Sequence, residues 1–214
     1  MGCGQPKSEE TQRAAPAQQM DSAPPPSQPD SRPVIAAFGD SLTAGYGVET
    51  GNSYPDFLQK SIDRSGYRYH VVNVGISGDT TSGGLARAAS VSGLKPAVVI
   101  LELGGNDGLR GLPAEELRGN LAQIIERAQQ RHIQVILAGM EAPPNFGQSY
   151  IVSFHQVYPA LARQYNVPLV PFLLQGVAGV ETLNQRDGIH PTAEGARIVA
   201  DNVWPALRPM LTGS

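Results

Sequence analysis

Two stretches far apart in this chain carry residue types that can do chemistry together. In Ile35-Ala36-Ala37-Phe38-Gly39-Asp40-Ser41 an apolar run stops at Gly39-Asp40, and a serine follows at once. A serine hydroxyl becomes a useful nucleophile only beside a base, with donors ready for the oxyanion. Asp187-Gly188-Ile189-His190-Pro191 offers the base. An acid three residues ahead of a histidine, in a turn, can bring the Asp187 carboxylate to the His190 Nδ1–H and fix the tautomer. The other ring nitrogen is then left to take a proton from Ser41. The other reading of this stretch is helix capping around Pro191 and Thr192. His70, His132 and His155 lie in or beside predicted strands and helices without such an acid, which favours structural or surface roles.

Two glycine-rich stretches could supply oxyanion donors. Asn73-Val74-Gly75-Ile76-Ser77-Gly78-Asp79-Thr80 can bring backbone N–H groups close to a ligand oxygen. Leu103-Gly104-Gly105-Asn106-Asp107-Gly108 holds an asparagine amide that can donate to an oxyanion. Taken alone, each reads as an ordinary turn.

The elements that must position these residues follow from the pattern of the chain. Val34 to Phe38 is predicted as a first, buried strand ending in a tight turn. Helices are predicted over 54–65, with Ser53 as N-cap, and over 113–130, with Leu117, Leu121, Ile124, Ile125 and Ala128 on one face. Two more are predicted over 149–165 and 192–211, and a weak one, loosened by Gly83-Gly84, over 80–91. Further strands are predicted over 69–74, 97–103 and 133–138, with a fifth beginning at Pro168. Repeated βα units imply right-handed crossovers. The expected fold is α/β: a three-layer flavodoxin-like sandwich with a five-stranded parallel sheet, order 2-1-3-4-5, and helices on both faces. Ligands in such folds bind beyond the carboxyl ends of the strands, where Ser41 would sit.

Composition narrows the class. The 214 residues suffice for one α/β domain and a tail. A net charge of −3 speaks against nucleic acid as a partner. No apolar run approaches the roughly 20 residues of a membrane span, so a soluble folded part is expected. The single cysteine, Cys3, excludes an intramolecular disulfide and a cysteine-built zinc site. Residues 1–33 form a separate unit with seven of the 18 prolines, five glutamines and no Val, Ile, Leu, Phe, Trp or Tyr. Such a stretch buries too little apolar surface to offset its ordering entropy, and a flexible tether ahead of a domain over 34–214 is expected. Its start, Met1-Gly2-Cys3-Gly4, looks like the mature end of a bacterial lipoprotein with the lipid on Cys3. Pro6 argues against N-myristoylation, and an unmodified tail is the alternative.

Four stretches occur in one order: Gly39-Asp40-Ser41-Leu42, Ile76-Ser77-Gly78-Asp79-Thr80, Gly104-Gly105-Asn106-Asp107 and Asp187-Gly188-Ile189-His190-Pro191. Together they resemble the four sequence blocks of the SGNH (GDSL) hydrolase family. The resemblance covers nearly all of residues 34–211. It is closest to the bacterial periplasmic thioesterase/arylesterase/lysophospholipase branch, through Ile76 to Thr80 and Glu102 to Gly111. It implies Ser41 as nucleophile, His190 as general base and then acid, and Asp187 as the group that orients His190. It also implies an oxyanion hole of the Ser41 N–H, the Gly78 N–H and the Asn106 side chain.

The reaction so implied is cofactor-free and metal-free hydrolysis of acyl esters and thioesters, aryl esters and lysophospholipids through an acyl-enzyme. The partner is a small-molecule or lipid ester, met by a monomer in the periplasm or cell envelope, with membrane contact only through a lipid on Cys3. Tyr46, Leu109, Phe146 and Ile189 are candidates for apolar substrate contact, or equally for core. The segment 104–113, with five glycines or prolines, is expected to be a movable loop, and 140–146 a second wall. Carbohydrate O-deacetylation is an alternative that the same fold supports, and a non-catalytic ligand-binding lipoprotein is another. Asp40, Asp79, Asp107 and Asp187 lack the His/carboxylate spacing of a zinc site.

Overall fold

The computed structural model describes residues 1–3 and 30–213. The tether expected over 1–33 therefore lies almost wholly outside the described residues; Cys3, within them, is exposed. Five parallel strands form one sheet in the order β2-β1-β3-β4-β5, once each has been numbered along the chain. They are β1 (Val34–Gly39), β2 (His70–Asn73), β3 (Val98–Glu102), β4 (Gln134–Ala138) and β5 (Leu169–Val170). The α-helices are α1 (Ser41–Ala44), α2 (Tyr54–Arg64), α3 (Thr81–Gly93), α4 (Gly105–Leu109), α5 (Ala114–Gln129), α6 (Gln148–Tyr165) and α7 (Ala193–Leu207).

β1 and β3 are buried through most of their length, as strands covered on both faces must be. Their register runs from Ile35 beside Val98 to Gly39 beside Glu102. That pairing sets an acidic side chain against the last residue before the Asp40-Ser41 turn. The chain moves one way from β1 to β2 and the other way from β2 through β3 and β4 to β5. Right-handed crossovers then put the first connecting helix on one face and the later ones on the other. α2 accordingly packs with the last helix, α7. α3, α5 and α6 form the opposite layer, α5 touching both of the others.

Local sequence explains the helix limits. Ser53 and Asp56 cap α2 reciprocally, and Pro55 occupies its first turn. Leu117, Leu121, Ile124, Ile125 and Ala128 are buried along α5. α3 is a full helix despite Gly83-Gly84, because the Thr80 side chain caps it and Ala88 and Val91 are buried. The terminal helix expected to reach 211 ends at Leu207, and a 3-10 turn over Arg208–Met210 follows, with Pro209 inside it. Two short helices lie beyond the expectation: α1, and α4 within the segment expected to be a loop. Among the described residues no helix is long and apolar enough to cross a membrane.

Candidate active site

Ser41 opens α1 immediately beyond β1. The Asp40 Oδ1 accepts the Leu42 N–H at 3.0 Å, and the Asp40 carbonyl accepts the Ala44 N–H at 2.9 Å. These bonds turn the chain sharply and leave the serine at the sheet edge. From the end of β2, the Asn73 side-chain amide donates to the Thr43 carbonyl at 2.7 Å.

His190 reaches Ser41 across 149 residues of chain, with Nε2 2.9 Å from Oγ. Its Nδ1 lies 2.7 Å from the Asp187 Oδ2. The other Asp187 oxygen accepts the backbone N–H groups of Ile189 at 2.9 Å and His190 at 3.0 Å. Those bonds, the backbone one from His190 first, hold the Asp187 carboxyl down to about 2. The turn is locked from below by Gln185, which sequence reasoning missed. Its N–H donates to the His190 carbonyl at 2.7 Å, and its side-chain amide donates to the carbonyls of Tyr46 and Pro191.

Asn106 bonds to Asp40 and to Asp79, the residue that follows Gly78. Gly78 has φ +81°, a conformation that favours glycine. Among the described residues neither the Ser41 N–H nor the Gly78 N–H has an acceptor. The Asn106 Nδ2 donates to Asp40 Oδ2 at 3.0 Å and to the Asp79 carbonyl at 2.9 Å. Asp107 is turned away, accepting the Thr81 N–H and hydroxyl at 2.9 and 2.5 Å and so fixing α4 to the start of α3.

A buried acidic pair behind Ser41 also escapes a reading of the sequence. Glu102 is fully buried, and its Oε2 accepts the Thr43 hydroxyl at 2.7 Å and the Asp40 N–H at 3.2 Å. The Tyr54 hydroxyl lies 3.0 Å from Thr43 Oγ and donates to it. Among the described residues the Glu102 Oε1 has no partner. Burial first, then the Asp40 charge, pushes the Glu102 carboxyl well above its ordinary value. Burial likewise pushes Asp40 up to about 6. Only the β1–β3 register could have disclosed this pair.

Beside Ser41 and His190 opens a cavity of about 360 Å³, within the size range of small-molecule sites. Leu109 and Ile189 line it, with Met140, Pro143, Phe172 and Leu174. Phe146 does not. Its ring packs against Tyr150, 5.3 Å between centroids, and over Gly111. Tyr46 lies in a small recess on the other side of Ser41, its ring 4.6 Å from that of His190. The segment 104–113 is helical over Gly105–Leu109, with the Leu112 N–H bonded to the Asp107 carbonyl at 3.0 Å. His155 is exposed, as a surface role requires, and its Nδ1 lies 2.6 Å from Glu141 on the cavity wall. The two are 14 positions apart, so no local spacing announces the pair. Among the described residues, no group of three or more His, Cys, Asp or Glu is arranged to hold a metal ion.

The model of the GDSL-like Lipase/Acylhydrolase family matches residues 37–198, which span all four stretches. The chain belongs to that family. This GDSL-like chain is 46% identical over 179 residues to Esterase TesA of Pseudomonas aeruginosa, covering 83% of this chain and 89% of that protein. It is 37% identical to Thioesterase 1/protease 1/lysophospholipase L1 of Escherichia coli, covering 83% and 85%. It is 36% identical to an Arylesterase of Vibrio mimicus, covering 81% and 87%. A crystal structure of TesA superposes with a TM-score of 0.80 at 45% identity, over 83% of this chain and 99% of that one.

Proposed function

We propose that this chain is a serine esterase that hydrolyses acyl esters and thioesters through an acyl-enzyme. The observation that carries the reading is the continuous line Ser41 Oγ–His190–Asp187, with spacings of 2.9 and 2.7 Å. Ser41 attacks the carbonyl carbon while His190 Nε2 takes the hydroxyl proton. Asp187 stays anionic, fixes the tautomer and stabilises the imidazolium. The N–H groups of Ser41 and Gly78, with the Asn106 amide, receive the developing oxyanion. His190 then delivers its proton to the leaving alcohol or thiol. Water attacks the acyl-enzyme in the second half, with His190 again as base.

The apolar lining supports acyl or aryl groups of modest size, held against Leu109 and Ile189. The relatives' names support aryl esters, acyl thioesters and lysophospholipids as the substrate classes. A periplasmic or envelope location with a lipid on Cys3 belongs to the same proposal, supported by the lone cysteine ahead of a Pro/Gln-rich segment. The test is hydrolysis of p-nitrophenyl esters from acetyl to palmitoyl, by the wild type and Ser41→Ala, with and without EDTA. Turnover that collapses in the variant and ignores EDTA is expected. Equal inactivity of both proteins, or full activity in the variant, would overturn the reading.

A further inference from the structure

Arg87, on α3, belongs to none of the four stretches, yet its guanidinium joins three segments that meet at the site. Nε donates to Asp79 Oδ2 at 2.6 Å, Nη1 to the Val74 carbonyl at 2.7 Å and Nη2 to the Gly39 carbonyl at 2.8 Å. The guanidinium carbon lies 4.4 Å over the Phe38 ring centroid. The Arg87 and Asp79 side chains are only 18% and 11% exposed, so the pair is shielded from the solvent that weakens surface ion pairs.

Each acceptor bears on the proposed oxyanion site. Gly39 is the second residue before Ser41, and Val74 lies just past the end of β2, where the Gly78 segment begins. Asp79 follows Gly78, and its carbonyl accepts from the Asn106 amide at 2.9 Å. One planar cation therefore ties the Ser41 turn to the segment that carries Gly78, alongside the Ile76 N–H, which donates to the Gly39 carbonyl at 3.0 Å. The neighbouring sequence accommodates the clamp: a Cβ at Gly83 would fall 1.9 Å from Asp79 Oδ1.

We propose that Arg87 is a positioning residue for the oxyanion hole, holding the Asn106 amide, through Asp79, at the height of Ser41. The inference rests on the serine esterase reading. A lysine cannot reproduce the role, because its ammonium is a point charge without the planar fork. Donors aimed at the transition-state oxygen act on kcat more than on ground-state binding. Arg87→Lys should therefore lower kcat by about 10- to 100-fold, with KM within about twofold.

The decisive experiment is a double-mutant cycle of Arg87→Lys with Asn106→Ala on a p-nitrophenyl ester, with thermal unfolding followed alongside. If Arg87 acts through the hole, its effect shrinks to about threefold or less once Asn106 is gone. A purely structural staple would lose the same factor in both backgrounds, and that result would overturn the proposal. So would an unchanged kcat, or a rise in KM alone. Asp79→Asn removes the ion pair from the other side and repeats the cycle should Arg87→Lys not fold. Ser41→Ala in the same assay separates the two claims: if it keeps activity, the esterase reading fails first.

Discussion

Glu102→Gln tests the buried acidic pair through stability rather than turnover. Glu102 is held above its ordinary value of 4.5, by burial and then by the Asp40 charge. Between that value and its folded-state value, the folded chain keeps a proton that the unfolded chain has released. Stability therefore falls as pH rises through this window. Glutamine has no such proton in either state, and its side-chain oxygen can still accept from Thr43 and Asp40. The stability of the variant relative to wild type should rise by up to about 1.4 kcal/mol per pH unit. Asp40 shifts in the same direction, up to about 6, chiefly through its own burial, which the variant keeps. Urea unfolding by circular dichroism at pH 5, 6 and 7 measures it. Parallel pH profiles for the two proteins would refute the reasoning. Glu102→Ala, by contrast, strips two buried donors of their acceptor and should cost about 2–6 kcal/mol.

Three further outcomes are expected. Asn106→Ala should lower kcat by about 10²- to 10³-fold in steady-state ester hydrolysis. Asp187→Asn should cost about 10⁴-fold in kcat. Because Asp187 is held at about 2, its contribution to stability is present above its ordinary 3.8 and lost as pH falls through about 2. Leu109→Ala and Ile189→Ala should each lower kcat/KM for the longest accepted acyl chain by about 3- to 30-fold, whereas Phe146→Ala should leave the chain-length profile in place.

Sequence alone discloses those features that depend on local order. The sheet order follows from repeated βα units, and the Asp187–His190 contact follows from a three-residue spacing within one turn. Contacts set by register or long-range packing stay hidden. Glu102 reads as part of an apolar strand until β1 is laid beside β3. Gln185, Arg87 and the His155–Glu141 pair act across distant segments, so their residue types carry no positional signal. The packing of Phe146 onto Tyr150 and Gly111 likewise leaves no local signal. Glycines suggest a movable segment over 104–113, and its helical turn with the Asp107 bonds to Thr81 is not legible there.

The most direct test of the central claim is covalent capture of the nucleophile. The protein would be treated with an aryl phosphonate ester and mapped by peptide mass spectrometry, with Ser41→Ala and His190→Ala in parallel. One phosphonyl group on the peptide carrying Ser41 is expected in the wild type, none in Ser41→Ala, and much slower labelling in His190→Ala. Labelling at another residue together with loss of activity, or full ester turnover in Ser41→Ala, would contradict the account.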